Sequence, residues 1–139
     1  MNIIRRIALS LAMMLATSCY AQSFVGVWRT IDASDEVGKQ QKGVVFRSDG
    51  TGEFISPTAT TDTSEEWKKL LETATAGSTN MKFNYTFSDG VAAITITHFG
   101  GLAVSKSNTI YWRVLNLAGR QMKLTAEDGS GKWVQFVRI

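Results

Sequence analysis

Met81-Lys82-Phe83-Asn84-Tyr85-Thr86-Phe87-Ser88-Asp89-Gly90-Val91-Ala92-Ala93-Ile94-Thr95-Ile96-Thr97-His98 is the stretch whose reading decides the fold. Met81, Phe83, Tyr85 and Phe87 alternate with Lys82, Asn84 and Thr86, and beyond the turn Ala92, Ile94, Ile96 and His98 share one face. A period of two is the mark of a half-buried strand. Asp-Gly between two such runs supplies the positive-φ backbone that a tight hairpin needs. The stretch therefore reads as two antiparallel neighbours, each with one apolar and one polar face.

The same pattern extends in both directions. Toward the C-terminus, Asn108 to Leu115 carries Ile110, Trp112 and Val114 on one face, Gln121 to Thr125 follows a turn at Ala118-Gly119, and Lys132 to Ile139 follows Glu127-Asp128-Gly129. Toward the N-terminus, Phe24 to Ile31 alternates, and Lys42 to Arg47 joins Gly52 to Ser56 through Ser48-Asp49-Gly50. Only one segment changes period. Trp67, Leu70, Leu71 and Ala74 recur at helical spacing, Thr63 and Glu66 can form a capping box, and Gly77 can end the helix, so a helix is predicted over Ser64 to Ala76.

Eight short strands joined mainly by tight turns suit an all-β fold: an antiparallel up-and-down barrel, which closes on itself and so removes its edges, with one inserted α-helix. Phe24, Trp28, Phe46, Phe54, Phe83, Tyr85, Trp112 and Phe136 form the expected interior set. An eight-stranded barrel is just wide enough either to be filled by such side chains or to hold one small ligand. Both outcomes stay open at this point.

The two ends of the chain resemble a known family. Gly26-Val27-Trp28 on the first strand is similar to the Gly-x-Trp signature of the lipocalins and the wider calycin group, and Arg138 on the last strand stands where that family places an arginine across the tryptophan. Phe46-Arg47-Ser48-Asp49-Gly50-Thr51-Gly52 and Met122-Lys123-Leu124-Thr125 also resemble hairpin segments of small bacterial lipocalin-like proteins. The resemblance implies a calyx-shaped barrel whose floor is closed by Gly26, Trp28 and Arg138. It departs from the family pattern in length, in having no helix after the last strand, and in placing its helix between the third and fourth strands.

The N-terminal residues carry a different message. Arg5 and Arg6, the apolar run Ile7 to Ala16 and the small residues after it follow the order of a secretory signal. That run is about ten residues, half of the roughly twenty that span a bilayer as a helix. Two processing routes remain: ordinary cleavage after Ala21, or a lipoprotein signal in which Leu15-Ala16-Thr17-Ser18-Cys19 acts as a lipobox and Cys19 is acylated. Residues 1–21 are thus expected to be the leader and residues 22–139 the barrel domain, located in the periplasm, secreted, or lipid-anchored to the membrane through Cys19.

Removal of the leader also corrects the charge. The full chain has 15 Lys and Arg against 12 Asp and Glu, but Arg5 and Arg6 leave with the leader, so the domain is close to neutral. Nucleic-acid binding, which needs a concentrated basic face, is not expected. Cys19 is the only cysteine and His98 the only histidine, so neither a disulfide nor a cysteine–histidine pair is available to the domain. The carboxylates of Glu127-Asp128-Gly129 and Ser48-Asp49-Gly50 serve turn geometry. No catalytic residue, metal or cofactor is expected.

The functional expectation is an exported, non-enzymatic protein that binds a small apolar or amphipathic ligand in the barrel mouth beneath the helix. Phe54, Trp67, Phe83, Tyr85, His98 and Trp112 are the expected contacts. The alternative is a protein-interaction module, such as an inhibitor, immunity or envelope-assembly factor, built on a filled barrel and using the loops Ser56 to Thr63 and Gly100 to Ser107.

Overall fold

The structure is a computed structural model that describes residues 24–74, 78–117 and 119–139. The expected leader, both of its expected cleavage positions and Cys19 lie outside the described residues, as do Gly77 and Ala118. Strands β1 (Gly26–Ala33), β2 (Gly43–Phe46), β3 (Thr51–Ile55), β4 (Met81–Ser88), β5 (Val91–Phe99), β6 (Leu102–Ala103), β7 (Thr109–Leu117), β8 (Gln121–Ala126) and β9 (Trp133–Arg138) form one sheet. Its order is β4-β3-β2-β1-β9-β8-β7-β5-β6, and β4 also pairs with β5. That extra pairing closes eight antiparallel strands into a barrel, while β6 extends from β5 as a two-residue flap.

Local chemistry explains the connections at one end. Asp89 and Gly90 both take positive φ, +54° and +77°, the geometry of the two-residue turn whose twist matches the strands it joins. Arg47 and Thr51 close the β2–β3 turn, and Asp49 Oδ1 accepts from both the backbone N–H and the hydroxyl of Thr51 at 2.9 and 2.7 Å. Those bonds to the ionised form hold the Asp49 carboxyl below its ordinary value. The β1–β2, β3–β4, β5–β7 and β8–β9 connections leave from the other end, and they are the longer ones.

Two helices occupy those longer connections: α1 (Glu36–Gln40) between β1 and β2, and α2 (Ser64–Glu72) between β3 and β4. α1 is the element that sequence periodicity did not announce. Asp35 caps it by accepting from the Gly38 N–H at 2.7 Å. α2 starts with the expected capping box between Thr63 and Glu66, and the backbone N–H groups held by Glu66 keep its carboxyl below the usual range. It stops at Glu72 rather than at Ala76, because Thr73 turns extended and donates its N–H back to the Lys69 carbonyl.

Two apolar clusters result. The larger fills the barrel with Phe24, Trp28, Phe46, Phe83, Ile94, Leu124, Phe136 and their neighbours. The smaller lies on the outer surface of β1 to β3, where Val27, Val45 and Ile55 meet Trp67 and Leu70 of α2. All eight residues expected inside belong to the larger cluster or pack against it.

A buried polar node fastens α2 to the wall. The Arg47 guanidinium pairs with the Glu53 carboxylate and donates to the Leu70 and Thr73 carbonyls at the helix C-terminus. Asn80 donates to Glu53 and accepts the Ser56 N–H at 2.9 Å. Burying a charge is costly unless it is paired and hydrogen-bonded, and here each charge has several partners.

Candidate functional site

The barrel's two ends are filled differently. At the end with tight turns, Phe24 from the segment before β1 inserts among Phe46, Tyr85 and Phe87, with ring centroids 4.4, 5.4 and 5.1 Å away. Phe46 and Tyr85 meet edge to face at 5.2 Å and 88°, an arrangement worth about 0.5–1.5 kcal/mol beyond area burial. The Tyr85 hydroxyl donates to the Arg47 carbonyl. Burial first, and the Asp49 charge second, push the Tyr85 phenol up to about 12.

Trp28 and Arg138 complete this closed end. The guanidinium carbon of Arg138 stands 4.2 Å from the Trp28 ring centroid, a cation–π contact worth roughly 0.5–2 kcal/mol. Arg138 Nη1 also donates to the Val25 carbonyl at 3.0 Å, and Trp28 Nε1 donates to the Phe24 carbonyl at 3.0 Å. Gly26 has φ +149°, and a Cβ there would lie 2.6 Å from Arg138 Nη1. An L side chain is strained at this φ, and one placed here would also have to displace the Arg138 guanidinium.

The opposite end holds a cavity of about 370 Å³. Its walls are Phe54, Met81, Ile94, Ile96, Ile110, Trp112, Leu124 and Val134, and its rim is formed by Ser34, Asp35, Val37, Gly38, Gln41, Lys132 and Trp133. Pockets of roughly 300–1,000 Å³ with apolar walls and a few polar groups are the usual form of small-molecule sites. Ile94 and Leu124 are almost fully buried, so the cavity reaches the barrel interior. The rim over β1 and β9 is α1, not α2.

The six expected contacts separate into three groups. Phe54 and Trp112 line the cavity. Phe83 is fully buried below it, 5.0 Å from Phe54 and 5.5 Å from Phe46, and Tyr85 belongs to the aromatic plug at the closed end. Trp67 and His98 are outside the barrel.

The last two are corrections with physical causes. Trp67 packs on the outer wall, where its Nε1 donates to the Thr61 carbonyl at 2.8 Å and the Arg29 guanidinium lies 5.5 Å from its ring. α2 therefore covers β1 and β2 from outside and does not roof the mouth. In the sequence His98 is in phase with Ile94 and Ile96, while its strand-end position before Gly100-Gly101 favours the alternative of exposure in a bend. Phe83 pairs with Ile96 but Lys82 pairs with His98, so Thr97 is an extra residue in β5. Such a bulge reverses the alternation beyond it, and His98 lies in an outer groove with Lys82, Asn84 and Glu72.

The cavity residues missed from the sequence are mostly aliphatic: Met81, Ile110, Leu124 and Val134, together with the α1 rim. A usable signal existed in the alternation, because each lies in phase with an interior residue of its own strand. Among the described residues, no group of three or more His, Cys, Asp or Glu stands together in a way that could hold a metal ion. Comparison of the chain with protein-family models, with curated proteins and with solved structures found no match in any of the three.

Proposed function

We propose that this is an exported binding protein of lipocalin-like type, which takes a small apolar or amphipathic molecule in the open end of its barrel without transforming it. The observation that carries the reading is the apolar cavity of about 370 Å³ between Ile94, Ile110, Trp112 and Leu124. A barrel serving only as a scaffold has no need of such a void, since protein interiors otherwise pack as densely as organic crystals. The Trp28–Arg138 contact at the opposite end supports the lipocalin-like reading.

Export is part of the same proposal and rests on the Arg5-Arg6 start and the apolar run that follows. Phe24 is seated at the closed end, so a lipid on Cys19 would tether the barrel from that end and leave the mouth free. Mass spectrometry of the processed N-terminus distinguishes Gln22 from an acylated Cys19.

Titration with the neutral apolar fluorophore N-phenylnaphthylamine tests the binding reading. Saturable one-site binding is expected for the wild type, and its loss in Ile110→Trp, which fills the cavity. Equal binding by both proteins, or none by either, would contradict it.

A further inference from the structure

We propose that the binding site continues past the cavity rim along the β5–β6 hairpin, so that it accepts an elongated amphipath rather than a compact ligand. The inference rests on the cavity reading above and extends it. Paired residues in an antiparallel ladder point to the same face of a sheet. Phe54 pairs with Met81, Met81 with Phe99, and Phe99 with Leu102. One cross-strand row thus runs over β3, β4, β5 and β6, beginning with two residues of the cavity wall.

The Thr97 bulge that turns His98 outward also returns Phe99 to the inner face. Val104 gives an independent check on β6. Two residues beyond Leu102 and in phase with it, Val104 packs against the interior cluster while its N–H bonds the Thr97 carbonyl at 3.0 Å. Leu102 is therefore on the cavity side of the flap.

The row emerges into solvent as it leaves the barrel. Phe54 and Met81 are partly buried, whereas Phe99 is 57% and Leu102 78% exposed. Across the mouth, over β1 and β9, which lie four and three places round the barrel from β5, α1 presents Val37 at 70% exposure. Two apolar surfaces thus flank the opening, each continuous with the wall beneath it. The occupant that satisfies both surfaces and the cavity is the outer apolar part of the same ligand.

Isothermal titration with n-alkyl glucosides of increasing chain length, held below their micelle concentrations, tests this. Each methylene buried deepens affinity roughly fourfold. For the wild type, affinity is expected to keep rising beyond the length that fills the cavity. For Phe99→Ser with Leu102→Ser, the shortest glucosides should bind as they do to the wild type. The longest should bind about tenfold more weakly, because the rise levels off earlier.

Both residues are exposed, so the variant is expected to fold, and circular dichroism checks this. Levelling off at the same length in both proteins overturns the extension and leaves the cavity reading standing. Equal weakening at every length also overturns it, since the hairpin would then act only by shaping the cavity. No binding at any length overturns the cavity reading itself.

Discussion

At the closed end β1, β2 and β4 plug the barrel with Trp28, Phe46, Tyr85 and Phe87 around Phe24, whereas at the open end β5, β7, β8 and β9 present Ile94, Ile96, Ile110, Leu124 and Val134, beside Phe54 and Trp112, around a cavity of about 370 Å³. The connections differ in parallel. Tight turns such as Asp89-Gly90 serve the plugged end, and both helices belong to connections that leave from the open end. In a barrel of fixed strand number the wall sets the diameter, so side-chain size decides whether the space is filled. Rings fill it where three or four converge, and branched aliphatic chains leave a void.

This difference predicts unequal responses to substitution. Trp28→Ala should have the largest effect, a loss of about 3–5 kcal/mol in urea unfolding. It removes a fully buried indole together with its contact to Arg138. Enlarging a residue sharpens the contrast. Ala92 is fully buried between its cross-strand partners Phe87 and Trp112 and does not line the cavity, so Ala92→Leu should cost about 1–3 kcal/mol. Ile110→Trp at the cavity should change stability by less than about 1 kcal/mol, because its added volume enters an existing void. Equal penalties at the two ends would break the comparison.

Alkaline pH should act on the closed end. The Tyr85 phenol is raised from its ordinary 10.0 to about 12 in the folded protein, so the unfolded chain loses that proton first. The stability contributed by the neutral phenol is fully present below about pH 10 and declines as pH rises toward about 12. Tyr85→Phe should remove this part of the slope in pH-dependent thermal unfolding. The smallest effect is expected midway along the barrel. Thr30 Oγ1 is buried and has no hydrogen-bond partner among the described residues. Thr30→Val should leave stability unchanged or raise it by up to about 1 kcal/mol in the same unfolding assay.

Much of the scaffold was legible in the sequence. Period-two alternation located all eight barrel strands, Asp89-Gly90 marked its hairpin, and Thr63 with Glu66 marked the start of α2. The family resemblance placed Gly26, Trp28 and Arg138 together from opposite ends of the chain, and the Arg138 guanidinium does lie over the Trp28 ring and against the Gly26 backbone. α1 escaped because five residues make little more than one turn, too short to display a helical period.

The candidate site was less legible, for two physical reasons. A bulge adds one residue without any compositional mark, and the extra Thr97 moved His98 to the outer surface. Choosing contacts by ring size also favoured residues that fill space. Phe83 and Tyr85 pack with Phe46 and so fill the interior below the void, while aliphatic Ile110, Leu124 and Val134 border it beside Phe54 and Trp112. The helix stripe of Trp67 and Leu70 fixed which face of α2 is buried. It left both a lid over the barrel mouth and simple packing on its wall or end open, with simple packing favoured as the common use of such a stripe, and the outer wall is where it lies.

A crystal structure of the protein under xenon pressure tests the central claim most directly, because xenon enters apolar voids without needing specific contacts. Xenon is expected among Ile94, Ile110, Trp112 and Leu124, with none between Phe24, Phe46 and Tyr85. Side chains filling the open end, with no xenon there, would contradict the account.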